Sequence, residues 1–161
     1  MGAIETEEDR LAVWAAFLRA HSVLTASLER ELVAERGLSL AWYEVLLQLR
    51  RAGGELRMQE LARSVLLSKS GLTRLVDRME AAGLVARRSC PTDRRGTFVT
   101  LTDEGRRAFR AAAPVHLRGI EEHFTSRLDD DDRRALAAVL DKLAGPQPAA
   151  MPDCGTDADE A

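Results

Sequence analysis

The chain has 161 residues and a formal net charge of −3, with 23 Lys and Arg against 26 Asp and Glu. The length suits one domain with a buried core, and 45% hydrophobic with 30% charged residues excludes a disordered chain. The acidic total argues against nucleic-acid binding, for which a basic domain is the usual sign. No apolar run approaches the roughly 18–20 residues of a membrane span, and no signal peptide is visible. A cytoplasmic protein without a membrane partner is therefore expected.

A long amphipathic helix is predicted over residues 9–36, because one face repeats at spacings of three and four. That face consists of Leu11, Trp14, Leu18, His21, Thr25, Leu28 and Leu32. Gly37 is expected to end the helix as a C-cap. At 1.5 Å per residue this helix spans roughly 42 Å, about the whole diameter of a compact domain of this size. A second copy of the chain is therefore expected to cover part of the apolar stripe.

Three shorter helices are predicted next from apolar residues at helical spacing. They cover about 40–52, 58–65 and 69–82. Ser39 is expected to cap the first of these helices and Ser68 the third. Gly53 and Gly83 follow two of them as stop signals.

The period then changes to that of a β-hairpin, with two short strands over 84–89 and 97–102. The turn-rich stretch 90–96 joins them. A long helix is predicted over about 103–127, and Pro114 is expected to kink or divide it.

The last helix is predicted from a cap at Asp129 to about residue 143. Residues 145–161 hold three Pro and four acidic residues without periodicity, and a flexible tail is expected there. The expected fold class is mainly α with a small β-hairpin wing. The expected division of the chain is a domain over 37–102 that contains the hairpin and a helical region made of 9–36 with 103–143.

Short helix, turn, capped helix and β-hairpin follow one another in the order of a winged helix-turn-helix. The second helix of such a pair buries one face and offers the other to the major groove. Its predicted inward residues are Leu72, Leu75, Val76 and Met79. The predicted DNA-binding residues on its outward face are Ser68, Lys69, Ser70, Thr73, Arg74 and Arg78. Hydroxyls donate to phosphates or base edges, and Arg74 is long enough to reach a guanine. The alternative interpretation is ordinary capping serines and solvated arginines.

The tip of the predicted hairpin carries two cations, Arg94 and Arg95. Arginine suits a narrow minor groove, where the negative potential is strong. Asp93 is expected to hold one of them extended through a bidentate pair. A soluble turn with a local ion pair is the alternative, but two basic signals in one segment favour DNA binding.

The distribution of charge supports this prediction better than the total does. Residues 57–107 hold 11 basic and 6 acidic residues, a net charge of +5. The segments before and after it have net charges of −3 and −5. The basic residues are thus concentrated in the predicted winged helix.

The segments LRMQELARSV (56–65), SKSGLTRLVDRMEAAG (68–83) and above all DRRGTFVTLTDEG (93–105) resemble the MarR family of bacterial transcription regulators. The last segment is similar to that family's wing signature, Asp-x-Arg followed by Leu-Thr and a glycine. With the flanking helices, the resemblance covers about residues 9–143. Arg57 and Met58 depart from the family pattern, because many relatives place a hydroxyl cap before the first helix of the pair.

The resemblance implies that 37–102 is a winged helix-turn-helix DNA-binding domain and that 9–36 with 103–143 is a helical dimerisation region. It implies a homodimer on a palindromic double-stranded DNA operator. It implies release by a small phenolic or aromatic acid, or by thiol oxidation. The wing arginine of the family pattern falls on Arg95. A repressor with no cofactor is the expected function.

An effector site is predicted from aromatic residues in the first two helices. An apolar wall interrupted by a few polar groups suits a small aromatic ligand. The candidate effector-binding residues are Trp14, Phe17, His21, Thr25, Trp42 and Tyr43. The alternative is that they are core or dimer-interface residues.

Two further possibilities stay open at this point, a redox sensor and an interaction module, whereas a metal site and an enzyme are not expected. Cys90, beside the arginines of the wing, is a candidate redox sensor because nearby cations lower a thiol pKa. His116 and His123 share a helix face but lack further metal ligands, so no metal site is expected. No phosphate loop or nucleophile motif indicates an enzyme. A dimeric interaction module that has lost DNA binding is the remaining alternative.

Overall fold

The computed structural model describes residues 6–65, 69–89 and 97–145. Within them the mainly helical fold with a small antiparallel sheet is confirmed. The helices are α1 (Glu7–Arg36), α2 (Leu40–Arg51), α3 (Met58–Ser64), α4 (Lys69–Ala81), α5 (Asp103–His123) and α6 (Asp130–Ala144). The strands are β1 (Glu55–Arg57), β2 (Val85–Ser89) and β3 (Thr97–Leu101), and a 3-10 turn covers Thr125–Arg127. Ser68 and the tail from 146 onward lie outside the described residues.

Local capping chemistry sets the helix ends largely as predicted. Thr6 opens α1 with a capping box, in which its hydroxyl accepts from the Asp9 N–H at 3.2 Å and Asp9 accepts in return. Gly37 closes α1 at φ 63°, a left-handed conformation that favours glycine. The Ser39 hydroxyl accepts from the Trp42 N–H at 3.2 Å and caps α2, as predicted.

The sheet contains a third strand, β1, that the sequence did not predict. The strand order is β1-β3-β2, so that β3 is central and pairs antiparallel with both neighbours. Leu56 of β1 lies opposite Val99 of β3. β1 was not predictable because its three residues are too few to show the alternating pattern of a strand. Its stabilising partner, β3, lies more than 40 residues further along the chain.

The predicted division of the long helix at Pro114 is wrong, because α5 runs through that residue from Asp103 to His123. Proline removes one intrahelical hydrogen bond. Pro114 lies on the exposed side of the helix, where water satisfies the carbonyl that loses its partner. The helix also ends four residues before the predicted limit.

The core lies where α2, α4, α5 and the sheet meet. Tyr43 of α2 stacks on Phe109 of α5 with ring centroids 5.3 Å apart, and both side chains are buried. Gly105 brings the start of α5 against the turn before β2, because a Cβ at this position would lie 2.1 Å from the Leu84 carbonyl oxygen. Thr102 secures the same junction: its hydroxyl accepts from the Gly105 N–H at 3.0 Å and donates to the Leu84 carbonyl at 2.9 Å.

The first half of α1 extends beyond this core with its apolar side chains in solvent. The exposed large side chains there are Leu11, Val13, Trp14, Phe17, Leu18 and Val23. Val139, Leu140 and Leu143 of α6 are exposed as well. The span Leu11–Arg36 is long and apolar enough to cross a membrane by length and composition alone, contrary to the expectation that no apolar run of the chain approaches that length. Arg19 and His21 interrupt that span, and Leu32 near its end is buried in the core.

Candidate nucleic-acid interface

Helix α4 presents two chemically different faces, as the sequence predicts. Its buried side chains are Leu72, Leu75, Val76 and Met79. Its exposed side chains include Thr73, Arg74, Asp77 and Arg78. Arg74 and Arg78 form no ion pair with any other described residue, so two guanidinium groups remain available to a ligand on this face. Of Lys69 and Ser70 the structure describes only the helical backbone.

Helix α3, which precedes α4, begins without the hydroxyl cap that the family pattern favours. Glu60 in its first turn compensates by accepting a hydrogen bond from the Arg57 N–H at 3.0 Å. Leu61 is fully buried and fastens the helix to the core. The start of the helix is thereby defined although residue 57 is an arginine.

The base of the hairpin is attached to α4 through Arg87 of β2. Its guanidinium Nη1 lies 2.6 Å from Asp77 Oδ1 and 2.8 Å from Glu80 Oε2. Nη2 donates to the Thr73 carbonyl at 3.2 Å. The side chain of Arg87 therefore contacts the exposed face of α4 over two turns of the helix.

The neighbouring Arg88 attaches the other side of β2 to β1. Its guanidinium donates to both carboxylate oxygens of Glu55, at 2.7 and 2.8 Å. The Thr100 hydroxyl donates to the same carboxylate at 2.9 Å. These hydrogen bonds, led by the one from Arg88, lower the pKa of Glu55. Arg87 and Arg88 are thus both engaged with carboxylates.

The predicted wing tip lies outside the described residues. This applies to Asp93, Arg94 and Arg95 as DNA-contact candidates and to Cys90 as a redox candidate. The described strands end at Ser89 and resume at Thr97, which are paired across the hairpin. The roles of the tip residues stay predictions.

The six candidate effector residues occupy three places within one subunit. Trp14 and Phe17 stack on the exposed half of α1, with ring centroids 5.9 Å apart. His21 and Thr25 line a groove between α1 and α5. Tyr43 is buried against Phe109 and His116, and Trp42 is half-buried beside the core.

The groove between α1 and α5 has a volume of about 340 Å³. It is lined by His21, Leu24, Thr25, Leu28, Gly119, Ile120, His123 and Phe124. Half of the lining residues belong to α5 or directly follow it, almost 100 residues after those of α1. No local sequence pattern predicts that α1 and α5 line one groove. Next to the groove, His123 Nε2 contacts Glu31 Oε1.

The histidines of α5 have separate environments. His116 is buried beside the Tyr43 ring, at 4.3 Å between centroids, and burial lowers its pKa. His123 instead approaches Glu31 and Glu122, whose nearest oxygens lie with its ring nitrogen within 4.8 Å of one another. The two histidines therefore do not belong to one cluster of ligands.

Comparison with known proteins agrees with this architecture. A protein-family model described as MarR family matches residues 36–96. AbsC, a MarR family transcriptional regulator from Streptomyces coelicolor, is 35% identical with a TM-score of 0.79, covering 89% of this chain and 96% of that chain.

Two further relatives are also regulators. Sco3205, a MarR family transcriptional regulator from Streptomyces coelicolor solved in complex with DNA, is 34% identical with a TM-score of 0.80, covering 89% of this chain and 94% of that chain. The HTH-type transcriptional regulator MhqR of Bacillus subtilis is 28% identical over 136 residues, covering 84% of this chain and 92% of that protein.

Proposed function

This chain belongs to the MarR family of DNA-binding transcriptional regulators, and we propose that it is a cytoplasmic homodimeric repressor that binds a palindromic operator. The exposed face of α4, with Arg74 and Arg78 unpaired among the described residues, is the observation that carries the proposal. In a winged helix this face enters the major groove. The solved DNA complex of Sco3205 supports the same kind of ligand.

The dimer gives the geometry of the operator. Two copies of α4 about one helical turn of DNA apart, roughly 34–36 Å, require half-sites about 10 bp between centres. The exposed apolar side chains of α1 and α6 supply the surface through which two copies associate. Phosphate contacts by the arginines make the affinity fall steeply with salt.

Gel shifts with the DNA upstream of the protein's own gene test the proposal. We expect wild-type protein to bind one palindromic fragment at nanomolar concentration. Arg74→Ala is expected to weaken binding about tenfold and to relax the preference for one base pair, since a bidentate arginine–guanine contact contributes about 1–3 kcal/mol. Arg95→Ala is expected to weaken binding to every sequence by a similar factor.

Arg134→Ala is the control, because Arg134 is an exposed arginine of α6 paired with Asp131. Unchanged affinity in both Arg74→Ala and Arg95→Ala overturns the assigned contacts. A wild-type dimer that binds no fragment of its genome favours the protein-interaction module instead.

We further propose that a small aromatic or phenolic ligand occupies the groove between α1 and α5 and releases the DNA. Apolar walls with three polar side chains, His21, Thr25 and His123, support this ligand class. A ligand there contacts both helices, and α5 also contacts the turn before β2 through Gly105. Binding in the groove is thereby connected to the hairpin.

A thermal-shift screen of aromatic acids and phenols tests the effector. We expect a binder to raise the melting temperature by several degrees and to release DNA in the gel shift. Leu24→Trp fills the groove and is expected to abolish both effects, whereas Ala26→Trp, at an exposed position of α1 outside the groove, retains them. DNA release by peroxide that depends on Cys90, without any active small molecule, overturns the ligand in favour of thiol oxidation.

A further inference from the structure

We propose that Arg87 is a positioning residue that locks the β2–β3 hairpin onto α4, so that both elements meet DNA as one rigid unit. The proposal rests on the proposed function, because it assigns Arg87 a role in DNA binding. Arg87 is not itself required to touch the DNA. It acts through the direction in which it holds the hairpin.

The contacts of Arg87 all lead to one helix. Its side chain contacts Asp77, Glu80 and the Thr73 carbonyl, at 2.6, 2.8 and 3.2 Å. Its backbone N–H donates to Glu80 Oε1 at 2.9 Å. Glu80 therefore accepts from both the backbone and the guanidinium of a single residue, an arrangement that leaves β2 little freedom to slide or rotate against α4.

The position of β2 at the edge of the sheet makes this attachment necessary. Among the strands of the described residues β2 pairs with β3 alone, since the strand order is β1-β3-β2. A two-stranded hairpin that projects from a small sheet is only marginally stable by itself. At the edge of β2 that does not pair with β3, the Glu80 carboxylate of α4 accepts a hydrogen bond from the Arg87 N–H. The described part of the hairpin, β2 with β3, is thus oriented by α4.

The charges of this contact also matter for a polyanionic ligand. Asp77 lies on the exposed face of α4, with 55% of its side chain accessible. Arg74 and Arg78, which have no ion-pair partner in the part of the chain that the structure describes, lie on the same face. Without a partner its carboxylate repels the DNA phosphates. The ion pair with Arg87, whose side chain is only 25% accessible, neutralises the negative charge of the Asp77 carboxylate. Arg88 does not substitute for it, because Arg88 is paired with Glu55 of β1.

Fluorescence anisotropy with the full dimer and its operator tests the DNA-binding role. We expect Arg87→Gln to weaken binding about tenfold. In the Arg87→Gln background, Arg95→Ala is expected to cost no more than about twofold, because the tip is already misdirected. Restoring an ion pair with Arg87→Glu and Glu80→Arg together is expected to recover part of the affinity. Arg107→Gln is the control, since it removes an exposed arginine that pairs only with Glu104 within α5.

Wild-type affinity in Arg87→Gln overturns the proposal. Full additivity with Arg95→Ala also overturns it, because Arg87 then acts independently of the tip. Hydrogen exchange on the free protein separates this proposal from the proposed function: Arg87→Gln is expected to speed exchange in β2 and β3 at least tenfold while α2 stays protected. If wild-type protein binds no DNA, the proposed function fails, and unchanged exchange in the hairpin still overturns the lock.

Discussion

Replacing Gly105 with alanine is expected to lower the free energy of unfolding by about 2–3 kcal/mol. Alanine favours a helix over glycine by about 1 kcal/mol, so helix propensity alone predicts the opposite sign. The loss arises because the new Cβ would lie 2.1 Å from the Leu84 carbonyl oxygen and 2.9 Å from Leu101 Cδ1. That carbonyl cannot retreat without breaking its hydrogen bonds from the Thr102 N–H and hydroxyl. Urea denaturation followed by circular dichroism measures the change.

Gly119→Ala is the matched control on the same helix. A Cβ at Gly119 would lie 2.7 Å from both Glu31 Oε2 and Leu28 Cδ2. These atoms are the ends of flexible side chains, which can rotate away. We expect the stability to change by less than about 1 kcal/mol, since the helix propensity of alanine offsets the rearrangement. Equal losses in the two variants contradict the rigid junction between α5 and the turn before β2.

Leu18→Glu is expected to convert the dimer to a monomer and to weaken operator binding at least 100-fold. Leu18 lies among the exposed apolar side chains of α1, including Trp14 and Phe17, that the proposed dimer buries. Burying a carboxylate without a partner in such an interface costs several kcal/mol. The monomer then loses the advantage of binding two half-sites at once.

Sedimentation equilibrium at micromolar concentration measures this change. Arg19→Gln is the control, because it lowers the net charge by the same single unit on the same turn of α1. We expect Arg19→Gln to remain a dimer. If Leu18→Glu also remains dimeric with unaltered DNA affinity, the apolar half of α1 is not the interface.

Features that depend on neighbouring residues were predictable from the sequence. Gly37 ends α1 and Ser39 begins α2 as predicted, because a cap depends only on the three or four neighbouring backbone groups. The two faces of α4 follow from helical periodicity in the same way. The continuation of α5 through Pro114 was not predictable from periodicity, which does not tell whether the disrupted carbonyl faces water.

Features made by tertiary contacts were not predictable in this way. The role of Arg87 was not predictable from the sequence, because its partners Asp77 and Glu80 belong to a different element. The groove combines Thr25 with His123, and only the packing of α1 against α5 brings them together. Tyr43 is a predicted effector contact, and the structure places its ring in the core, stacked on Phe109.

Helix α5 belongs to both parts of the molecule. Near its start, Gly105 and Phe109 pack against the turn before β2 and against α2, and further along, Gly119 packs against α1. The contacts of Gly105 and Phe109 and the contact of Gly119 belong to one unbroken helix, with no linker between them. Melting either part removes contacts that support the other, so the two parts are thermodynamically coupled. We expect heat or denaturant to unfold the DNA-binding region and the long helices in a single transition.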